Sequence, residues 1–132
     1  MPLYRCAVEE GLTREGQRAR IAKEIVRIHC GVTGAPATFV HAFFSEAAPG
    51  ALPAGKRAFV LGSIRAGRSD AQKQQIVREL TDVVVDVLGC KPAEVGVATA
   101  DVPASWIMEG GELLPEPGEE AAWLERHRQR AE

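Results

Sequence analysis

Apolar residues along the chain alternate between two spacings. Leu3 to Val8 predicts a strand, with Pro2, Tyr4 and Cys6 on one face and Leu3, Arg5 and Ala7 on the other. Proline is tolerated as the first residue of a strand. Glu9-Glu10-Gly11 ends it. Thr13 fits a helix N-cap and Glu15 its first turn. Ile21, Ile25, Ile28 and Val32 then form one helical stripe. Gly31 and Gly34 are expected to stop this helix, with Pro36 beyond. Thr38 to Ser45 predicts a second strand, so residues 2–45 read as one β-α-β unit.

The pattern then returns. Ala47 to Gly55 is rich in Ala, Pro and Gly and reads as a connector. Ala58 to Ile64 predicts a strand, and Ser69 with Gln72 a capping box. Ile76, Leu80, Val83, Val84 and Val87 make the next helical stripe, Gly89 stops it, and Glu94 to Thr99 predicts a strand. A shift of 55 positions lays Ile21 on Ile76, Glu24 on Glu79, Ile25 on Leu80, Ile28 on Val83 and Gly34 on Gly89. Tandem β-α-β units at 2–45 and 57–100 predict an α/β two-layer sandwich, one sheet under two helices, in a single domain. Residues 101–132 read as a C-terminal extension, with a short charged helix around Ala121 to Arg130. Apart from Glu109 it is expected to be a solvated flap.

Composition narrows the function classes. The 132 residues are 45% hydrophobic and 26% charged, which suits one soluble globular domain. The net charge of -2 makes no case for nucleic acid or an anionic membrane. No apolar run spans a bilayer and no secretory signal is read, so a cytoplasmic location is expected. Cys6, Cys30 and Cys90 are scattered, which argues against disulfides and zinc. No metal and no cofactor are expected, since neither ligand spacing nor a Gly-rich phosphate loop is present.

The candidate chemistry starts at Met1-Pro2. A proline here permits trimming of the methionine, which leaves Pro2 a free secondary amine usable as acid, base or nucleophile. By itself, Met-Pro is also a common start without chemical meaning. A helix of about 18 residues runs roughly 27 Å, and a strand of about 7 residues roughly 23 Å. The first helix therefore ends level with the start of the first strand, and His29 lies at Pro2's end. Spacing leaves open whether His29 faces a substrate or packs near a helix C-terminus. Arg65 and Arg68 lie between a strand and a helix start, where paired guanidinium groups suit a carboxylate. An exposed basic loop is the alternative. His41 alternates with Phe39 and Phe43 and is expected to line a sheet face. Cys30 is expected to pack, and Trp106 either to cover a pocket or to pack.

Taken together these pieces resemble the tautomerase superfamily, and within it the cis-3-chloroacrylic acid dehalogenase group. The resemblance covers most of the chain. It rests on Met-Pro-Leu-Tyr at the start, Ile-His-Cys-Gly-Val-Thr-Gly at 28–34, Arg-Ala-Gly-Arg-Ser at 65–69, Asp-Val-Pro-Ala at 101–104 and Glu-Gly-Gly-Glu-Leu-Leu-Pro-Glu-Pro-Gly at 109–118. It implies catalysis by Pro2 and Glu109, the latter activating water. It implies that His29, Arg65 and Arg68 grip a small carboxylate substrate, that the two halves run antiparallel, and that the enzyme is a homotrimer. One departure stands out: where the dehalogenase pattern has a tyrosine that helps the glutamate, this chain has Ala98. Hydration or dehalogenation of small unsaturated carboxylates is therefore expected, with weak action on the halogenated acid. Keto–enol tautomerisation of 2-oxo acids such as phenylpyruvate and a non-catalytic acid-binding oligomer are the alternatives.

Overall fold

The computed structural model describes residues 1–131, and the side chains of residues 1–128. Strand β1 (Leu3–Glu9), helix α1 (Gln17–Thr33) and strand β2 (His41–Ala47) make the first β-α-β unit. Strand β3 (Ala58–Arg65), helix α2 (Asp70–Leu88) and strand β4 (Val95–Val102) make the second. The sheet order is β2-β1-β3-β4. Within each unit the strands pair parallel, whereas β1 and β3 pair antiparallel. Leu3 lies opposite Ser63, so the head of β1 meets the tail of β3. This crossing brings Arg65 to the Pro2 end of the sheet.

One sheet face is covered. Tyr4, Cys6 and Val8 of β1 and Ala58, Val60 and Ile64 of β3 pack with Ile21, Ile25 and Ile28 of α1 and Ile76, Leu80 and Val84 of α2. Each such aliphatic side chain stabilises the fold by roughly 1.5–3 kcal/mol when buried, so this seam dominates the packing of the layers. Gly62 lies opposite Tyr4 in the ladder. A Cβ there would stand 2.5 Å from the Tyr4 ring, so only glycine lets the ring cross β3. The other sheet face is uncovered, and Phe43 on it is 43% exposed. No helix among the described residues is long and apolar enough to cross a membrane.

The elements follow local chemistry, with several shifts from the expected boundaries. α2 starts with both bonds of the Ser69–Gln72 capping box. Helices α1 and α2 end at Gly34 and Gly89, with φ of 75° and 69°, a left-handed turn that glycine adopts without strain. α1 runs straight through Gly31. Thr13 is not its cap. Gly16 turns left-handed with φ of 84° and makes no side-chain cap bond. The Gln17 side chain instead accepts from the Arg14 amide at 2.6 Å. β2 begins three residues later than Thr38, because Ala37–Phe39 form a 3-10 turn that buries the Phe39 ring. β4 continues to Val102, with Glu94 left in the preceding turn.

The segment after β4 is not a solvated flap. Strands β5 (Met108–Glu109) and β6 (Glu112–Leu113) form a hairpin, turned by Gly110 and Gly111 at φ of 58° and 81°. This places Ile107 and Leu114 in a second small core with Phe39. Helix α3 (Glu120–Ala131) lays Trp123 edge-on to Phe39, with ring centroids 5.3 Å apart. The Trp123 indole N–H donates to the Leu113 carbonyl at 2.8 Å. The extension is therefore fastened over the Pro2 end of the sheet.

Candidate active site

The sheet register carries the first of the predicted residues. Pro2 is buried at the head of β1, and its carbonyl accepts from the His41 amide at 2.9 Å. Just ahead of it, the amino group of Met1 is bonded to the Glu109 carboxylate. The glycine turn after Glu109 folds that carboxylate back toward the start of β1. The structure adds a residue here. His41 lines the exposed sheet face with Phe43, as expected, and its Nε2 lies 3.4 Å from Glu109. The signal was its place at the start of β2, level with Leu3 in the parallel ladder.

His29 lies on the last turn of α1, only 2% exposed. The Tyr4 hydroxyl meets its Nδ1 at 2.7 Å. Burial, then the charges of Arg68, Arg65 and the amino terminus, hold His29 down to about 4. The ring is therefore neutral at pH 7, against the tendency of a helix C-terminus to favour imidazolium. Burial raises the Tyr4 phenol above its ordinary range, so the hydroxyl keeps its proton. When Tyr4 donates to Nδ1, the ring proton sits on Nε2 and is free to donate to an anion. Tyr4 was missed as a site residue, although it shares the strand face of Pro2.

This burial has a consequence for stability. The unfolded chain binds a proton at His29 with an ordinary pKa of about 6.5, the folded chain only near 4. Between these values the unfolded state holds more protons, so stability falls as pH drops through the window and is intact above it. The full loss is roughly 3 kcal/mol. His29→Asn is expected to flatten the pH dependence of the melting temperature between pH 6.5 and 4. An unchanged slope in the variant would remove His29 as its cause.

Arg65 and Arg68 are not an exposed loop pair. Arg65 is 2% exposed. One guanidinium nitrogen donates to the Pro115 carbonyl at 2.6 Å, the other to Glu120 at 2.8 Å, and the plane lies 5.3 Å from the centre of the Phe39 ring. Arg68 donates to the Thr33 carbonyl at 3.3 Å and to the same Glu120 oxygen at 3.5 Å. Its Nε is buried and meets no acceptor among the described residues. Burial and the neighbouring Arg65 charge lower the Arg68 pKa. Burial pushes the Glu120 carboxyl up, but its own backbone amide, Arg65 and the Gly118 amide outweigh this and leave it low.

The predicted residues thus form two neighbouring groups. Glu109 and the amino terminus form one; His29, Arg65 and Arg68 form the other, close enough for all three cations to act on His29. Ala98 does not adjoin them within one chain. It pairs with Leu61 on edge strand β4. Strands β1 and β3 separate it from His41 and hence from Glu109, roughly 14 Å at ordinary strand spacing. The expected gap beside Glu109 is therefore not at position 98 of the same chain. Trp106 does not pack within the chain, being 76% exposed. Met1 packs against the Phe39, Ile107 and Leu114 cluster, filling the space next to Pro2. A cleft of about 440 Å³ lined by Glu9, Arg57 and Asp86 lies at the far end of β1, away from this chemistry. No group of three or more His, Cys, Asp or Glu among the described residues is gathered to hold a metal.

Known proteins carry the same arrangement of elements. The tautomerase enzyme family profile matches residues 63–115, the stretch that holds Arg65, Arg68 and Glu109. Native Ps01740 is 45% identical, with a TM-score of 0.76 over 82% of this chain and 100% of that one. N1, a member of the cis-3-chloroacrylic acid dehalogenase family, is 31% identical, with a TM-score of 0.87 over 98% of this chain and 97% of its own. A wild-type fused 4-OT symmetric trimer is 24% identical, with a TM-score of 0.75 over 86% of this chain and 95% of that one, a likeness of fold. None of the curated proteins compared with the chain matches it.

Proposed function

The chain is an enzyme of the tautomerase superfamily, within its cis-3-chloroacrylic acid dehalogenase group, and from that premise we propose that it adds water to small unsaturated carboxylates, using Pro2 as general acid and Glu109 as the base that activates water. Arg68, Arg65 and His29 hold the substrate carboxylate. Glu109 removes a proton from water as the oxygen bonds to the β-carbon. The electron pair of the double bond moves to the α-carbon, which takes a proton from the Pro2 ammonium. A halogen on the β-carbon then leaves as halide, and the adduct's hydroxyl gives up its proton as a semialdehyde forms.

The observation that carries this reading is the bond between the amino terminus and Glu109, beside a neutral histidine and two buried arginines. Once trimming brings the Pro2 amine to this carboxylate, the negative charge favours the ammonium that an acid requires. Trimming of Met1 would place the Pro2 nitrogen at the end of the chain and vacate the space among Phe39, Ile107 and Leu114 for substrate. The uncovered sheet face is available for assembly, and the fused 4-OT of like fold, a symmetric trimer, supports a homotrimer here. The same site with a neutral Pro2 serves the second reading, in which Pro2 moves a proton between carbon and oxygen of a 2-oxo acid while the arginines steady the enolate.

The test is an intact mass followed by an NMR titration of the terminal amine. The expected mass is that of the chain without Met1, and the expected amine pKa lies above neutrality. Active protein that retains Met1 has an amide at Pro2 and rejects both readings. An amine pKa below neutrality rejects the acid role and favours tautomerisation.

A further inference from the structure

The anion grip already contains an anion. Glu120 heads α3 and sends one carboxylate oxygen between the two guanidinium groups, 2.8 Å from Arg65 and 3.5 Å from Arg68. Its other oxygen accepts from the Gly118 amide at 2.7 Å. The side chain is held from both sides, at 13% exposure. Arg65 is thereby partly engaged within the fold: each terminal nitrogen makes one internal bond, and the Phe39 ring lies against it, so it has fewer donors left for a substrate than Arg68. Arg68 is different. Its two bonds are long, and its buried Nε meets no acceptor among the described residues. Buried polar groups are ordinarily paired, so an unpaired charged donor in a substrate grip marks where an outside acceptor belongs.

The charge balance points the same way. Two guanidinium groups face one internal carboxylate, which leaves an excess of one positive charge. One substrate carboxylate neutralises it. A second one would find no excess positive charge left, since the Pro2 ammonium is balanced by Glu109, and would meet the charges of Glu120 and Glu109.

Resting on the carboxylate-grip reading above, we propose that Glu120 is the specificity-determining residue of this site: it neutralises one of the two guanidinium charges from inside, leaves the other, chiefly that of Arg68, to the substrate, and so restricts the enzyme to monocarboxylates. Glu120 acts through the arginines and is a positioning residue, not a catalytic one.

Crotonate and fumarate test this, because they match in length and geometry and differ by a methyl against a carboxylate. Isothermal titration of the trimmed wild type is expected to show crotonate binding about tenfold or more tighter than fumarate. Glu120→Gln keeps the shape and an acceptor oxygen for Arg65 and removes the charge. It is expected to narrow that ratio by about tenfold or invert it. A merely structural role for Glu120 would weaken both acids alike and leave the ratio standing, which overturns the proposal. Trp123 fluorescence and a thermal melt report whether the variant keeps its extension in place. Should the variant not fold, the wild-type ratio decides alone, and equal affinity for the two acids overturns the proposal. Arg68→Ala is expected to lose both acids, and retained crotonate binding would also overturn it. Neither acid binding to the wild type would instead defeat the carboxylate grip itself, an outcome distinct from binding without charge selectivity.

Discussion

Replacing Pro2 by alanine is expected to lower kcat/KM for the hydrated acid by about 10²–10⁴-fold, the range that a positioned general acid or base contributes. The fold should survive the change. The bond that Pro2 makes to the His41 amide runs through its carbonyl, which alanine keeps, so the β1–β2 register stands. Alanine at position 2 still leaves an amine after trimming, but a primary one, with an ordinary pKa of about 7.7–8.0. Half or more of it is neutral at mildly alkaline pH, where a secondary ammonium would still carry its proton. The loss should therefore grow as pH rises from 7 to 9. Steady-state rates across that range, with a melting curve to confirm folding, make the check. A variant that keeps wild-type kcat/KM would take Pro2 out of the chemistry and leave Glu109 beside a bystander.

The comparison of chain and fold shows which kinds of information are local. The paired β-α-β units were legible because each helix carries its own stop. Gly34 and Gly89 repeat at equivalent positions, and both adopt the left-handed turn. The Ser69–Gln72 box was legible for the same reason, since both of its bonds close within four residues. Arg65 and Arg68 were legible as an anion site, but not what already occupies it. Glu120 is 55 residues from Arg65 in the chain, and a glutamate in a charged helix looks like any solvent-facing one. His41 does line a sheet face with Phe43, as expected, but the 3-10 turn at Ala37–Phe39 takes Phe39 out of that alternation, and the nearness of Glu109 was not legible. The surroundings of position 98 were not legible either: β4 is an edge strand with β3 and β1 between it and β2, so within one chain Ala98 does not adjoin Glu109. Periodicity reports what a residue's neighbours bury, and says little about which distant segment folds over it.

Glu109→Gln separates the two chemistries open to this site, because the expected effects have opposite signs. Glutamine matches the shape of the glutamate but cannot take a proton from water. Hydration should therefore fall by about 10²–10⁴-fold. Tautomerisation asks nothing of Glu109 as a base and needs Pro2 neutral. Glu109 is bonded to the Met1 amino group, and on the proposed reading trimming brings the Pro2 amine to the same carboxylate, whose charge favours the ammonium. An opposite charge at such range is worth about 1–3 pKa units, so its removal should lower the Pro2 pKa and enlarge the neutral fraction at pH 7. Turnover of a 2-oxo acid such as phenylpyruvate should hold or rise, with its pH optimum shifted down by a unit or more. His41 loses its anionic neighbour in the same step, but its exposed ring keeps water as a partner, so the local fold should be little affected. Parallel assays of the two reactions from pH 5 to 9, on wild type and variant, read the outcome directly. Loss of both activities in the same proportion would mean that Glu109 serves to hold the amino terminus in place, and the assignment of water activation to this carboxylate would fall.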